Sequence, residues 1–487
     1  MSSQALVTPE VKSMKDSILK GSRYRAGSFV ILLITAASAS TSFALIRRSS
    51  DGNPLVQEGK NWYVAPAPDG SDSNDGSSQH PWSTIGKAAR LAQAGDTVWI
   101  RPGTYVPSEI IHIGNSGNQN APITFRGAKG GPVVIDGQRN VPNYFWDGVF
   151  TVEKKNWIVF DGLTVINSRW FGFSAHNSEG VTVRNCSTKF TGGSGVYMNS
   201  CTNVKVEHCS IRHACDTPKT DPVKYTQECI SLGDCKNFEI AYNEVFDRTS
   251  DDNMGGGEGI DTKGFCQDGK VHGNVLHDLV RVAIYMDSWN GLLSNIDDYG
   301  NTIYDCSSGI TVEGEEGGTS RGIKIHDNLI YNCDRIGIRL AGFLKNGPIQ
   351  DAEIYQNTVY HCGYHGTDYE NCALLVEANN TLNRNFMVRN NIFSDNVNEV
   401  RTGGQPYLTL DQNLLHGPTL VSGTRTLVDD PLFVDPAKHD FHLRLRSTGI
   451  GMAKEEPLSQ FDHDGRPRHS AATVGNRFAD MGAFESK

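Results

Sequence analysis

At 487 residues the chain is too long for one ordinary globular core, and 51 glycines, 19 prolines and 21% charged residues fit neither a disordered nor a collagenous protein. A net charge of −10 argues against a nucleic-acid partner and requires any grip on an acidic polymer to be local. The glycine content points to many tight turns, as in a repeat protein.

Residues 1–47 differ from the rest. Lys12, Lys15, Lys20, Arg23 and Arg25 precede an apolar run from Phe29 to Ala37, and Ala37-Ser38-Ala39 and Ser42-Phe43-Ala44 are small-residue exits. This order reads as a secretory signal. An uncleaved anchor is the alternative, because Phe29 to Ile46 is just long enough to span a bilayer. Either way the remainder lies outside the cytoplasm, secreted, periplasmic or at the cell surface, with membrane contact only through an uncleaved segment. Cleavage after Ala44 would remove five basic and two acidic residues and take the net charge to −13.

From Pro81 to Gly95 the spacing of Ile85, Ala88, Ala89 and Ala92 predicts a short helix with Ser83 as its N-cap. DTVWIRPGTY follows as the first strand. A solenoid needs a cap over its open core and sheet edge, and this helix is the candidate.

Self-similarity then takes over. VRNCSTKF, VEHCSIRH, AYNEVFD, HGNVLHD, YGNTIYDC, HDNLIYNC, YQNTVYHC and RNNIFSDN superpose, with FDGLTVIN as a weaker first member. One column holds Leu163, Cys186, Cys209, Asn243, Asn274, Asn301, Asn328, Asn357 and Asn391, at gaps of 23, 23, 34, 31, 27, 27, 29 and 34. A short minimum period with variable additions is a solenoid with loop insertions. Stacked turn asparagines form a ladder, each bonding backbone of the next coil and tolerating left-handed geometry. The fold class is therefore all-β, a right-handed single-stranded parallel β-helix with an N-terminal cap helix.

Cys201, Cys235 and Cys266 lie eight residues before this column, and Cys306, Cys333 and Cys362 five after it. Cysteines one coil apart should lie about 4.8 Å apart. The 11 cysteines thus read as stacked buried thiols rather than disulfides or a metal site.

A further strand repeats as FSAH, VYMN, ISLG, IDTK, IYMD, ITVE and IRLA. Alternation sends Phe173/Ala175, Val196/Met198, Ile230/Leu232, Ile260/Thr262, Ile284/Met286, Ile310/Val312 and Ile338/Leu340 inward. Outward run two columns: Ser174, Tyr197, Ser231, Asp261, Tyr285, Thr311, Arg339, and His176, Asn199, Gly233, Lys263, Asp287, Glu313, Ala341. Charged and aromatic residues concentrate at Asp261, Lys263, Tyr285, Asp287 and Glu313. Trp289, just beyond, can stack on a sugar ring, with Tyr197, Asn199 and His176 as further substrate contacts. Asp287 and Glu313 fall on neighbouring coils, where like charges share a proton or hold a cation. Lys263 can pair with Asp287.

TSDDNMGGGEG carries Asp251, Asp252 and Glu258 on a Gly-rich loop, either a calcium loop or a flexible polar insertion. DGSDSNDG (69–76) reads as a turn, GEEGG after Glu313 as a turn with acidic decoration, and His272 and His277 as structural. The tail, with DPLFVDPAKHDFHLRL, FDHDGRPRHS and MGAFES, lacks the Asn column and reads as a closing coil plus a loop over the C-terminal end. The organisation is 1–47 signal peptide or anchor, 48–61 linker, 62–426 β-helix and 427–487 closing coil and cap. A monomer is expected.

YVAPAPDGSDSNDGSSQHPWSTIGKAARLAQAGDTVWIRPGTY resembles the opening of the family 9 polysaccharide lyases and related pectin-lyase-like β-helix proteins, over roughly residues 62–140. The tail resembles the D-x-DG-x-R…GA-[YF]-E ending of many exported bacterial β-helix proteins. The resemblance implies a carbohydrate-active enzyme. Family 9 lyases use a catalytic Lys beside calcium-binding Asp residues, and GEGIDTKG matches that strand with Glu258 at an acidic position and Lys263 at the Lys. The next coil, VRVAIYMDS, offers only Asp287 as a further acid. The Gly-His-Gly and Arg-Ile-Lys signatures of polygalacturonase-like hydrolases are absent.

These readings converge on a polysaccharide-degrading enzyme. In a lyase acting on a uronate glycan, Lys263 or Tyr285 would abstract the α proton, and Arg339 or calcium would neutralise the carboxylate. In a glycoside hydrolase, two of Asp261, Asp287 and Glu313 would act as acid and nucleophile or base. A non-catalytic glycan-binding or adhesin β-helix is the alternative from another class.

Overall fold

The computed structural model describes residues 59–216, 227–248, 256–377, 379–419, 423–454, 456–469 and 478–486. The signal or anchor segment and Asp251 and Asp252 lie outside them. Among the described residues no helix is long and apolar enough to cross a membrane.

The chain winds as parallel coils with three walls. The back wall is one sheet of thirteen strands in register, from Asn61–Val64 to Leu408–Asp411. After each back-wall strand the chain turns into a short strand of the turn wall, such as Ser210–Arg212 or Leu329–Tyr331. It then enters the front wall, such as Val196–Asn199 or Ile260–Lys263. In two coils the turn and front strands fuse into single strands, Val275–Asp287 and Thr302–Glu315. These coils follow Asn274 and Asn301, and from each of these asparagines the next ladder residue is only 27 residues on.

Parallel strands expose no side chain to water on their inner side, so inward positions are apolar. The seven inward pairs anticipated from alternation are all buried, down to the one polar member, Thr262. All eleven cysteines are buried free thiols, and in their column the Cys235 amide donates to Cys266 Sγ at 3.3 Å.

The ladder occupies the corner between back and turn walls. Asn274 Oδ1 accepts from the Asn243 amide at 3.0 Å and from Asn243 Nδ2 at 3.0 Å, and Asn274 Nδ2 donates to the Ile240 carbonyl at 3.0 Å. The same pattern continues through Asn301, Asn328, Asn357 and Asn391. It ends on a further member, Asn413, which accepts from the Asn391 amide at 3.0 Å. The left-handed residue of each turn is not the asparagine, as expected, but the one before it. Tyr242, Gly273, Gly300, Asp327, Gln356, Asn390 and Gln412 have φ between 52° and 63°. The left-handed step turns the chain, so the following asparagine points inward with ordinary backbone.

The cap helix spans Ile85–Leu91 and buries Ile85, Ala88 and Ala89. Its N-cap is Thr84, not Ser83: Thr84 Oγ1 accepts from the Lys87 amide at 3.3 Å. Asp72 accepts from the amides of both Ser83 and Thr84, which gives the 69–76 turn a structural use.

The tail departs from the expected end cover. Leu427–Val428 adds a last turn-wall strand. Beyond it, Phe433, Phe441, Leu443, Met481 and Phe484 pack on the outward residues Leu329, Tyr331, Ile392 and Leu414 of the turn wall. Arg468 is buried between Asp327, which it pairs with closely, and Glu485 at 3.4 Å. The tail thus straps several coils along their side.

Candidate active site

The front wall sets the site by register. Asp261 lies opposite Ser231 on one side and Tyr285 on the other, and Lys263 opposite Gly233 and Asp287. Asp287 faces Glu313, and Thr311 faces Arg339. The six residues expected to carry catalysis thus stand on four consecutive coils, side by side on one face. Facing outward does not leave them in water. Asp261 has no exposed surface, and Asp287 and Glu313 are buried.

Lys263 Nζ lies 2.7 Å from Glu228 Oε1 and 2.8 Å from Asp261 Oδ2. Ser231 Oγ donates to the other Glu228 oxygen at 2.7 Å. The lysine therefore reaches along its own strand and back one coil. The anticipated pairing with Asp287 gives way because Asp261 is two positions away on the same strand and Glu228 closes from the preceding coil. Burial alone would lower the pKa of Lys263, but the carboxylates of Asp261, Glu228 and Asp287 outweigh it and hold the ammonium well above the usual lysine range.

The next two coils carry a second group. The Tyr285 hydroxyl lies 2.7 Å from Glu313 Oε2 and 3.1 Å from Glu315 Oε2. Glu313 also faces Arg339 Nη1 at 3.3 Å, and Arg339 Nε donates to Glu377 at 2.8 Å. Burial, with the Asp287 charge beside it, pushes Glu315 up to about 7. Burial also pushes Asp287 up to about 6, with Lys263 pulling the other way. Burial raises Glu313 too, against Arg339. Tyr285 is driven far upward by burial and by Glu313 and Glu315. Its phenol is a hydrogen-bond donor here, not a base.

The substrate contacts divide. Trp289 is exposed, and its backbone amide donates to Asp287 Oδ1 at 2.5 Å. Asn199 and His176 stand in register on the same face. Tyr197 is no open platform: its ring is buried, stacked on Phe171 at 4.5 Å and next to Trp146 at 5.7 Å. Trp146 and Tyr144 are the exposed aromatics at that end. The preceding loop, not the strand repeat, carries them.

Three acids were missed. Glu315 was read as turn decoration, yet it ends the strand Thr302–Glu315 with its carboxyl on the Tyr285 hydroxyl. Glu377 lies one coil beyond IRLA, where CALLV continues the stack. Extending the repeat by one member would have found it. Glu228 precedes its strand, outside the alternation, and no sequence period marks it.

The family's calcium meets a poor fit here. An ammonium already stands between Glu228 and Asp261. Among the described residues no three His, Cys, Asp or Glu side chains are grouped to hold a metal. Glu258, the described member of the proposed ligand set, is pushed up to about 7 by burial and by Glu228. It is as much acid as anion at neutral pH.

Comparison with known proteins matches residues 62–380 to the model for the Pel9A-like right-handed β-helix region. The chain is 24% identical to the uncharacterized protein YwoF of Bacillus subtilis over 477 residues, covering 85% of this chain and 96% of YwoF. It is 42% identical to pectate lyase PEL9 of Emericella nidulans over 76 residues, 16% of this chain and 18% of that one. Among solved structures, pectate lyase Pel9A superposes with a TM-score of 0.52 at 15% identity, over 89% of this chain and 98% of that one. At such identity the superposition establishes the β-helix fold.

Proposed function

Because the chain belongs to the Pel9A-like right-handed β-helix family, we propose that it is an extracytoplasmic polysaccharide-degrading enzyme that cleaves its glycan on the front wall. Its proton transfers run through carboxyl groups. The observation that carries this reading is the contrast between two neighbours. Lys263 is locked as an ammonium between Glu228 and Asp261, whereas Asp287 and Glu315 are poised at about 6 and about 7. A general acid and base work best with pKa values near the operating pH.

The roles follow from environment. Glu315, the weaker acid, holds its proton near neutrality and donates it to the leaving oxygen. Asp287, ionised first and steadied by the Trp289 amide, activates water. Glu315 lies two positions along the strand from Glu313, which faces Asp287. The diagonal of one coil and two residues is about 8 Å between backbones. That backbone separation is compatible with the wider carboxyl spacing of inverting enzymes, which leaves room for water. Arg339 holds Glu313 in place, and Trp289 offers a face for a sugar ring.

Support for a second reading, β-elimination on a uronate glycan, comes from the family and from the pectate lyase relatives. It asks Lys263 to shed a proton that two carboxylates retain, and asks Arg339 to leave Glu313 and Glu377 for the substrate.

Incubation with pectin, alginate, glycosaminoglycan and neutral glycans separates the two. New reducing ends without ultraviolet-absorbing unsaturated product are expected. Unsaturated product would establish the lyase instead. Retained binding with no product on any glycan would leave a glycan-binding β-helix.

A further inference from the structure

Acidic residues on three consecutive coils surround Lys263: Glu228, then Glu258 and Asp261, then Asp287. Glu258 lies on the coil after Glu228, its carbonyl accepting from the Cys229 amide at 2.8 Å. Asp287 stands opposite Lys263. Asp261 is wholly buried, and its Oδ1 has no hydrogen-bond partner among the described residues. Carboxyl groups in a low-dielectric wall stay charged only where a cation meets them; otherwise they take up protons. In a calcium site the cation would gather six to eight oxygen ligands. Among the described residues the only cationic atom placed within ion-pair distance of both Glu228 and Asp261 is Lys263 Nζ, at 2.7 and 2.8 Å.

We propose that Lys263 is the built-in cation of this site: its ammonium takes the position among Glu228 and Asp261 that a divalent ion would otherwise hold, so the groove is assembled without calcium. Lys263 is then a positioning residue, which fixes Asp261 and lends positive charge to the floor beneath Asp287. The corollary is specific. Removing the ammonium, while keeping the volume, turns the cluster into a vacant oxygen cage that recruits a divalent ion. The inference does not depend on which glycan bond is cleaved, and its readout is metal binding rather than turnover.

The test is thermal unfolding of the full secreted protein in millimolar calcium chloride or in EDTA. Wild type and Lys263→Arg should melt at the same temperature in both. Lys263→Met should melt several degrees higher in calcium than in EDTA, beyond any wild-type difference, and the shift should vanish when Asp261→Asn is added. A Lys263→Met protein with no calcium shift beyond wild type would overturn the proposal. So would a calcium shift in wild type that Asp261→Asn abolishes, an arm that stands even if Lys263→Met does not fold.

Discussion

The ladder corner and the front wall are built from the same coils, in the same register, and differ in how they arrange polar groups. At the corner the ladder asparagines donate and accept between successive coils, and of the buried carboxyl groups against it Asp327 is met by Arg468 and by His326 at 2.6 Å, while Asp298 takes one bond from Asn301 Nδ2 at 3.2 Å and leaves Oδ2 without a partner among the described residues. On the front wall, two strands away, Asp261 Oδ1 and the hydroxyls of Thr262 and Thr311 are buried without hydrogen-bond partners among the described residues. Buried polar atoms are normally satisfied, and the exceptions in a native protein call for an explanation. A solenoid can carry such a patch because neighbouring coils hold it in place. The corner supplies order, and the wall brings acidic and basic groups of successive coils together on one face.

The comparison can be broken most forcefully at the corner. Arg468→Ala leaves Asp327 and Glu485 buried without their shared cation and loosens the tail strap. Breaking a buried pair by removing one partner costs about 3–5 kcal/mol. Urea unfolding should show that loss, whereas Arg468→Met should recover part of it by restoring packing. Next comes the ladder itself. Asn301→Ala removes the acceptor of the Asn274 amide and the donor to the Val271 carbonyl, and should cost about 2 kcal/mol as orphaned buried groups. A front-wall change should run the other way. Glu258 keeps its proton up to about 7 when folded, against 4.5 for the ordinary group. The unfolded chain releases that proton first, so stability falls as pH rises from 4.5 toward 7. Glu258→Gln should therefore stabilise by about 3 kcal/mol at pH 8 and by nothing at pH 4. Equal stabilisation at both pH values would remove charge as the cause.

The sequence disclosed the two halves unequally, for a physical reason. The ladder, the inward pairs and both outward columns follow from strict stacking, where one position per coil repeats and composition reveals it. That periodicity brought Asp261, Lys263, Tyr285, Asp287, Glu313 and Arg339 together on paper as they stand in the fold. It could not say where a long side chain bends. Lys263 turned along its strand to Asp261 and back to Glu228, not to Asp287, because Glu228 lies outside the strand alternation. Trp146 entered from a loop that no repeat governs. The left-handed residue of each turn was displaced by one because Asn tolerates that geometry, while its inward amide serves the ladder only from ordinary backbone. The strap escaped notice because Leu329, Tyr331, Ile392 and Leu414 occupy outward positions, and nothing in their coil announces what covers them.

The central claim is that the front wall transfers protons through Asp287 and Glu315 while Lys263 stays charged. The most direct measurement is the pH dependence of kcat/KM on a glycan that is cleaved, for wild type and for Glu315→Gln. A bell centred between about 6 and about 7 is expected, with the variant falling roughly 100- to 10,000-fold as its acid is lost. A rate that climbs steadily into the alkaline range, survives Glu315→Gln and disappears in Lys263→Arg would contradict the account and make the lysine the base.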